Sequence, residues 1–171
     1  MSDETIETTK GSSYMTHPGI TQVNPSASDI LDIIDEVIEQ VFNVESSELR
    51  TKARQREITV PRQTYMALLV DFTNREKGTN DTKGPKEPKE LANMGMKLYY
   101  DEFSSDPGYG LKYIGKLFGI THSTVLHAHR IIREDWWMDK HLGYGEKVKT
   151  AYTNVKRQLN YRFKQKGKTI S

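Results

Sequence analysis

One glycine between two amphipathic stretches constrains the fold of this chain more than any other feature of its sequence. The segment GLKYIGKLFGITHSTVLHAHRIIRE, residues 110–134, carries one apolar stripe at helical spacing before Gly119 and another after it. The first stripe is Leu111, Ile114, Leu117 and Phe118, and the second is Val125, Ala128 and Ile132. Gly119 predicts a left-handed C-cap, and Thr121 predicts the N-cap of the next helix. Two helices joined by a turn of about three residues are therefore expected, which is helix-turn-helix geometry.

The first turn of the second helix is expected to point away from the core. It carries Thr121, His122, Ser123 and Thr124, whose side chains can approach base edges or phosphates in a DNA major groove. Two short helices joined through a glycine also occur in many helical proteins that bind no DNA. The spacing therefore predicts an all-α fold with a helix-turn-helix, and it leaves DNA binding and a purely structural role both open.

Two earlier stretches predict helices as well. From Ser28 an apolar stripe runs at helical spacing to Phe42, with Ser28 or Asp29 as the N-cap. After Asn43, the string VESSEL predicts a short helical turn. These elements would pack their apolar faces into one core and leave their acidic faces in solvent.

A second long helix and a closing helix complete the predicted core. Pro61 fits the first turn of the long helix, with Thr59 as its cap and an end near Thr73. The closing helix is predicted from its periodic apolar residues, Val148, Tyr152, Val155 and Leu159. Trp136 and Trp137 can stack on bases, but aromatic residues just past a helix more often fill a core, so packing is favoured.

Composition separates a helical domain, residues 28–163, from its flanks. Residues 1–27 are rich in Ser, Thr, Gly and acidic side chains and predict a disordered acidic tail, and residues 164–171 predict a basic tail. Residues 75–109 form a predicted insertion that starts with the loop REKGTNDTKGPKEPKE. Its second part, LANMGMKLYYDEF, fits a helix or a pair of strands, with a helix favoured.

Charge is distributed very unevenly along the chain. Residues 1–49 hold ten Asp/Glu against one Lys, a net charge of −9, whereas residues 50–171 hold twenty-four Lys/Arg against thirteen Asp/Glu, a net charge of +11. The basic side chains concentrate in RTKARQREITVPRQ, as Arg50, Lys52, Arg54, Arg56 and Arg62. This part has the sign needed to meet phosphate, although basic runs are also common on solvated helix faces.

Several classes of protein are disfavoured by what the sequence lacks. It has no cysteine, so disulfides, thiolate metal sites and thiol nucleophiles are excluded. No window approaches the roughly 20 apolar residues of a membrane span, and the N-terminal residues lack the apolar region of a signal peptide. We expect a cytoplasmic protein that contacts no membrane.

Enzymatic sites are also hard to build from the histidines. At about 100° per residue, His127 lies about 140° around a helix from His122, whereas His129 returns to the face of His122 but about two turns, or about 10 Å, along the helix. The three histidines therefore cannot share one metal ion while helical. Ser123 and His127 have the spacing of a nucleophile and its base, but no acid evidently orients the histidine and no oxyanion hole is identifiable. We expect no catalytic residues, no metal and no cofactor.

The string GKLFGITHSTVLHAHRII resembles the signature of the DNA-binding domain of DnaA, the bacterial replication initiator, most specifically from His122 to Ala128. ESSELRTKAR and PRQTYMAL occur upstream in the order and spacing of that domain, so the resemblance covers about seventy residues. It implies the fold of the DnaA C-terminal domain, which is of the Trp-repressor-like type. It also implies sequence-specific binding of double-stranded DNA.

Residue roles follow from the same resemblance. Arg54 takes the position of an arginine that enters the minor groove, and Arg62 and Gln63 resemble a phosphate-contacting pair. The resemblance implies that His122, Ser123, Thr124 and His127 read the major groove. The expected DNA-binding set is completed by Arg50, Lys52, Arg56, Lys112 and Thr121.

The chain departs from the family at three points. Thr121 stands where the family usually has an aspartate that accepts a hydrogen bond from a cytosine amino group, so the preferred bases are expected to differ. The insertion at residues 75–109 has no counterpart in the family. The ATPase domain is expected to be missing, because no G-x-x-x-x-G-K-[ST] string occurs. Gly167-Lys168-Thr169 matches only the end of that string, since position 162, where its first glycine would stand, is an arginine.

The expected function is binding at a DnaA-box-like replication origin or regulatory site of a phage or mobile element, within a bacterial cell or an infected host. Candidate protein partners are replication proteins or a host DnaA, and no nucleotide is expected to bind. Two alternatives remain open: a transcriptional regulator, and a protein-interaction module with only non-specific affinity for DNA.

Overall fold

The computed structural model describes residues 25–74, 100, 107–139 and 142–163, and the regular elements in these ranges are helices. The fold is therefore all-α, as the apolar periodicity predicts. In chain order the elements are α1 (Ala27–Phe42), α2 (Ser46–Leu49), α3 (Arg56–Thr73), α4 (Leu111–Phe118), α5 (His122–Ile131), a π-helical segment (Ile132–Trp136) and α6 (Tyr144–Arg162). The predicted disordered tail up to residue 24, the basic tail and most of the insertion lie outside the described residues.

α1 begins earlier than predicted. The Ser26 hydroxyl accepts a hydrogen bond from the Asp29 amide at 3.0 Å, and the Asp29 carboxylate accepts one from the Ser26 amide at 2.9 Å. This reciprocal pair is a capping box, so the prediction of Ser28 or Asp29 as the N-cap is wrong. The apolar stripe itself is confirmed as the buried face of α1: Ala27, Ile30, Ile33, Ile34, Val37, Ile38 and Phe42.

α3 also begins before its predicted start. The amides of Ile58 and Thr59 both donate to the Gln55 carbonyl, at 3.0 and 2.8 Å, so the helix is already formed there and Thr59 is not its cap. Pro61 consequently lies in the second turn instead of the first. The predicted end of the helix at Thr73 is confirmed.

α3 is the central helix of the fold and packs against every other described element. From Val60 to the C-cap Asn74 its side chains are buried, apart from the half-buried pair Arg62 and Gln63. α1 and α6 pack against each other as well as against α3, and α4 packs against α5. The largest side chains that fill the core are Trp137, Tyr65, Tyr100, Tyr152, Phe72 and Phe163.

A buried carboxylate on α3 connects three other elements. His129 Nε2 on α5 donates to Asp71 Oδ1 at 2.7 Å, and Arg133 Nη2 in the π-helical segment donates to the same oxygen at 2.9 Å. The Tyr152 hydroxyl on α6 donates to Asp71 Oδ2 at 2.6 Å. Burial raises the pKa of this carboxyl, but the interactions with His129, Arg133 and Tyr152 outweigh it and lower the pKa of Asp71 to about 2.

The connection between α4 and α5 depends on two glycines. Gly119 ends α4 in the left-handed conformation, with φ 69° and ψ 34°, which confirms the predicted C-cap. Within α4, a Cβ on Gly115 would lie 2.5 Å from the Ile120 carbonyl oxygen, and the Ile120 amide donates to the Gly115 carbonyl at 2.9 Å. The chain thus folds back closely over Gly115 before Thr121 starts α5, as its predicted N-cap.

A π-helical segment follows α5 without a break, and it was not predicted. It is closed by a hydrogen bond from the Trp137 amide to the Ile132 carbonyl at 2.9 Å, five residues apart. The wider turn lets Arg133 reach Asp71 while Trp137, 1% exposed, enters the core and meets Tyr152 edge to face at 5.2 Å. Trp137 therefore packs, as favoured from the sequence. None of the described helices is long and apolar enough to cross a membrane.

The buried network predicts a large, pH-dependent contribution of Asp71 to stability. Asp71→Asn removes the buried negative charge that His129 and Arg133 contact and should lower the free energy of unfolding by about 3 kcal/mol or more at pH 7. Because the folded-state pKa is below the unfolded value, this contribution is present above about pH 4 and is lost as the pH falls towards 2. Urea unfolding from pH 7 to about pH 2 measures it, with the exposed Asp135→Asn as control. Equal losses in the two variants would contradict the prediction.

Gly115→Ala should destabilise the protein by about 1–3 kcal/mol, because the new methyl group meets backbone and not a side chain that can move. Gly119→Asn is the comparison, since asparagine tolerates the left-handed conformation and, apart from the two neighbouring residues in the chain, no described atom lies within 4 Å of the position of its Cβ. Thermal unfolding of both variants checks the difference. If Gly119→Asn costs as much as Gly115→Ala, the close approach at Gly115 is not what limits this turn.

Candidate nucleic-acid interface

Four of the predicted DNA-binding residues lie on one exposed segment that runs from the end of α2 to the first residue of α3. We call residues 50–56 the basic loop, and it exposes Arg50, Lys52, Arg54 and Arg56. Within the described part of the chain, no hydrogen bond or ion pair is formed by the side chains of Lys52 and Arg54. Their charges are therefore available to a ligand.

Arg62 holds the basic loop from inside. Its Nε donates to the Leu49 carbonyl at 2.9 Å, and its Nη2 donates to the carbonyls of Thr51 at 2.9 Å and Ala53 at 3.0 Å. Partial burial lowers the pKa of Arg62, as expected for a cation withdrawn from water. The predicted phosphate contact is thus already engaged with the protein's own backbone.

The two ends of the basic loop are attached to the two ends of the segment that contains α5. The guanidinium carbon of Arg50 lies 5.6 Å from the centre of the Phe118 ring, at the end of α4. That of Arg56 lies 5.6 Å from the centre of the Trp136 ring, at the end of the π-helical segment. Since α5 lies between Phe118 and Trp136 in the chain, each end of the basic loop contacts a residue in an element that adjoins α5.

Phe118, the ring that Arg50 contacts, is itself held in place by residues of α3 and α1. Phe118 packs edge to face on Tyr65 of α3, with ring centres 5.2 Å apart. The hydroxyls of Tyr65 and Ser46 both donate to Asp35 of α1, each at 2.8 Å. Burial and the charge of Asp35 raise the pKa of Tyr65 above its usual range, so its hydroxyl stays protonated and remains a donor.

The first turn of α5 exposes the predicted major-groove residues Thr121, His122, Ser123 and Thr124. Thr121 Oγ1 accepts the capping hydrogen bond from the Thr124 amide at 3.4 Å and lies 3.2 Å from Thr124 Oγ1. The cap therefore sets the positions of both threonine hydroxyls. His122 and Ser123 extend from the first two positions of the helix.

α5 also carries an exposed stripe of Ser123, His127 and Arg130, at positions i, i+4 and i+7. Arg130 was not among the predicted residues, although it follows His127 by three residues, a spacing that places the two side chains on the same face of a helix. Its Nε lies 3.8 Å from the Glu134 carboxylate, and its side chain remains 59% exposed. His129 faces the opposite way, buried against Asp71, so α5 has one face in the core and one face exposed.

α4 adds a second exposed face beside α5. Lys112, which was predicted, is exposed together with Tyr113 and Lys116, which were not. Tyr113 is 45% exposed and stacks against Tyr109 with ring centres 4.7 Å apart. The outer side of α4 is thus basic and aromatic, as in many surfaces that contact nucleic acids.

Gln63 differs most from its expected role. It is half-buried, and its Oε1 is shielded from solvent with no hydrogen-bond partner among the described residues. The proposed partner of Arg62 in phosphate binding therefore points inward, as Arg62 does. Within the same residues, no three His, Asp or Glu side chains are grouped so that they could hold a metal ion.

Comparisons with known proteins add no relative to this description. The chain matches no protein-family model, no curated protein and no solved structure.

Proposed function

We propose that this protein binds double-stranded DNA, with α4, the connection at residues 119–121 and α5 acting as a helix-turn-helix. The observation that carries the proposal is the contact of the two ends of the basic loop with the elements on either side of α5, through Arg50 on Phe118 and Arg56 on Trp136. A helix placed in the major groove brings a neighbouring segment to the sugar-phosphate backbone or into the adjacent minor groove. The resemblance to the DnaA DNA-binding domain supports the same arrangement.

The exposed side chains divide into two roles in this proposal. His122, Ser123 and Thr124 read base edges in the major groove, where their donors and acceptors can discriminate base pairs. His127 and Arg130 follow along the same helix. Each good base contact is expected to contribute about 1–3 kcal/mol of discrimination.

The basic loop supplies the contacts that position the protein. The resemblance assigns Arg54 to the minor groove, and we assign Lys52 to a phosphate contact. Both side chains are exposed and have no partner among the described residues, so they are free to make these contacts. Arg50, Arg56 and Lys112 add charge near the backbone. Arg50 and Arg56 are each stacked on an aromatic ring, which orients their guanidinium groups before DNA arrives.

The negative charge on α1 supports the same orientation. Residues 27–49, which form α1 and α2, hold seven Asp/Glu and no Lys or Arg. Asp32, Glu36 and Glu39 are exposed on α1. Burial and the neighbouring carboxylates of Asp29 and Asp35 raise the pKa of Asp32, which indicates a locally negative surface. This acidic face repels phosphate, so DNA is expected to bind on the side of the basic loop.

The biological role we propose is recognition of a replication origin or regulatory site, with recruitment of replication proteins as the consequence. The resemblance favours a DnaA-box-like site in a phage or mobile element. Regulation of transcription uses the same DNA contacts, and the position of the selected site relative to genes distinguishes the two.

Selection of bound sequences from random duplex DNA tests the proposal. We expect one enriched motif, and Arg54→Ala and His122→Ala should each weaken binding to it by about ten-fold, or about 1.4 kcal/mol. Arg157→Ala, which removes the same charge from an exposed site on α6, should leave the affinity nearly unchanged. No enriched motif, with affinity set by salt alone, would refute specific recognition and favour a protein-interaction module.

The capping position offers a test of base preference. Thr121→Asp keeps a good N-cap but presents a carboxylate, so we expect one position of the selected motif to shift towards cytosine. Thr121→Ser, which keeps the hydroxyl, should retain the wild-type motif. Identical motifs for all three proteins would place residue 121 outside the base-reading surface.

A further inference from the structure

We infer that Arg62 is a positioning residue of the DNA-binding surface: it shapes the basic loop from behind and does not itself contact phosphate. This inference rests on the proposed function for its effect on DNA, and on the geometry of the free protein for its mechanism. The resemblance to the DnaA domain predicts a phosphate contact for this arginine, so the two roles make different predictions.

The hydrogen bonds of Arg62 fall on the peptide groups that orient the exposed cations. The Thr51 carbonyl belongs to the peptide bond that precedes Lys52, and the Ala53 carbonyl belongs to the one that precedes Arg54. Fixing these two peptide planes restricts the directions in which the following side chains can leave the backbone. Arg62 therefore controls where the charges of Lys52 and Arg54 are presented.

Only an arginine provides this set of donors. Nε of Arg62 carries one hydrogen and Nη2 carries two, and the hydrogen bonds to the three carbonyls use these three hydrogens. The planar guanidinium holds the three donors at fixed angles, whereas a lysine ammonium is a single compact centre on a flexible stem. Arg62→Lys keeps the charge but cannot reproduce the three contacts.

Thr51 braces the loop from its other side. Its hydroxyl donates to the Glu48 carbonyl at 2.8 Å and accepts from the Ala53 amide at 3.3 Å. The backbone of residues 49–53 is thus held by side chains from two positions, one local and one on α3. A loop organised before binding loses less conformational freedom when it meets DNA, which strengthens binding.

The first experiment needs no DNA. Trypsin cleaves after Arg50, Lys52, Arg54 and Arg56, so the rate of cleavage within the basic loop, mapped by mass spectrometry under native conditions, reports its opening. We expect Arg62→Ala and Arg62→Lys to be cleaved there at least roughly five-fold faster than wild type. Arg157→Ala should match wild type, and urea unfolding identifies any global loss of stability. Unchanged cleavage in both Arg62 variants would overturn the inference.

The second experiment is a double-mutant cycle on the selected DNA motif, with wild type, Arg54→Ala, Arg62→Ala and the double variant. If Arg62 acts by positioning Arg54, the Arg62→Ala substitution weakens DNA binding about ten-fold when Arg54 is present, but much less when Arg54 has already been replaced by alanine. Arg62→Lys should weaken binding as much as Arg62→Ala. Additive losses, or rescue by lysine, would establish a separate phosphate contact and overturn the inference.

The two experiments separate this inference from the proposed function. A wild-type protein that selects no motif would overturn the proposed function and, with it, the effect of Arg62 on DNA recognition. The cleavage rates would still decide whether Arg62 braces the loop.

Discussion

The ionised carboxylate of Asp71 is the interaction on which the arrangement of the other helices depends. It is 6% exposed and accepts hydrogen bonds from three elements that are far apart in the chain, through His129, Arg133 and Tyr152. An unpaired carboxylate at this depth would be strongly destabilising, so these elements must be in place together for the core to form. The position of α5, and with it the candidate binding surface, is set from the interior of the protein.

The arginines illustrate that a cluster of positive charge in a sequence has more than one use. Arg62 organises backbone, Arg50 and Arg56 are stacked on Phe118 and Trp136, and Arg54 extends into solvent. Their chemical type is the same, but the surroundings in the fold assign different tasks to them. On the resulting surface the charges of Lys52 and Arg54 are free, and the peptide bonds that precede these two residues are held by hydrogen bonds from Arg62.

Local signals explain which features could be predicted from the sequence. Apolar periodicity identified α1, α4, α5 and α6, and Gly119 and Thr121 marked the turn because both act within a few residues of their own positions. The N-caps of α1 and α3 were missed because hydrogen bonds at Ser26 and Gln55 extend the helices beyond their apolar stripes.

Long-range contacts escaped prediction for a different reason. Asp71 meets partners 58 to 81 residues away, and Arg62 meets carbonyl groups, which every residue possesses. An acidic residue within the apolar run MALLVDFT was the one sequence signal for a buried polar network. The direction of the backbone in the basic loop had no comparable signal.

The two faces of α5 have a consequence for how this protein can diversify. Stability is anchored on one side, at Val125, Ala128 and His129, while Ser123, His127 and Arg130 on the other side are exposed. Substitutions at such exposed positions usually change folding stability by only a few tenths of a kcal/mol. If α5 reads DNA as proposed, substitutions at these three positions can therefore change the recognised sequence while the same core keeps the fold.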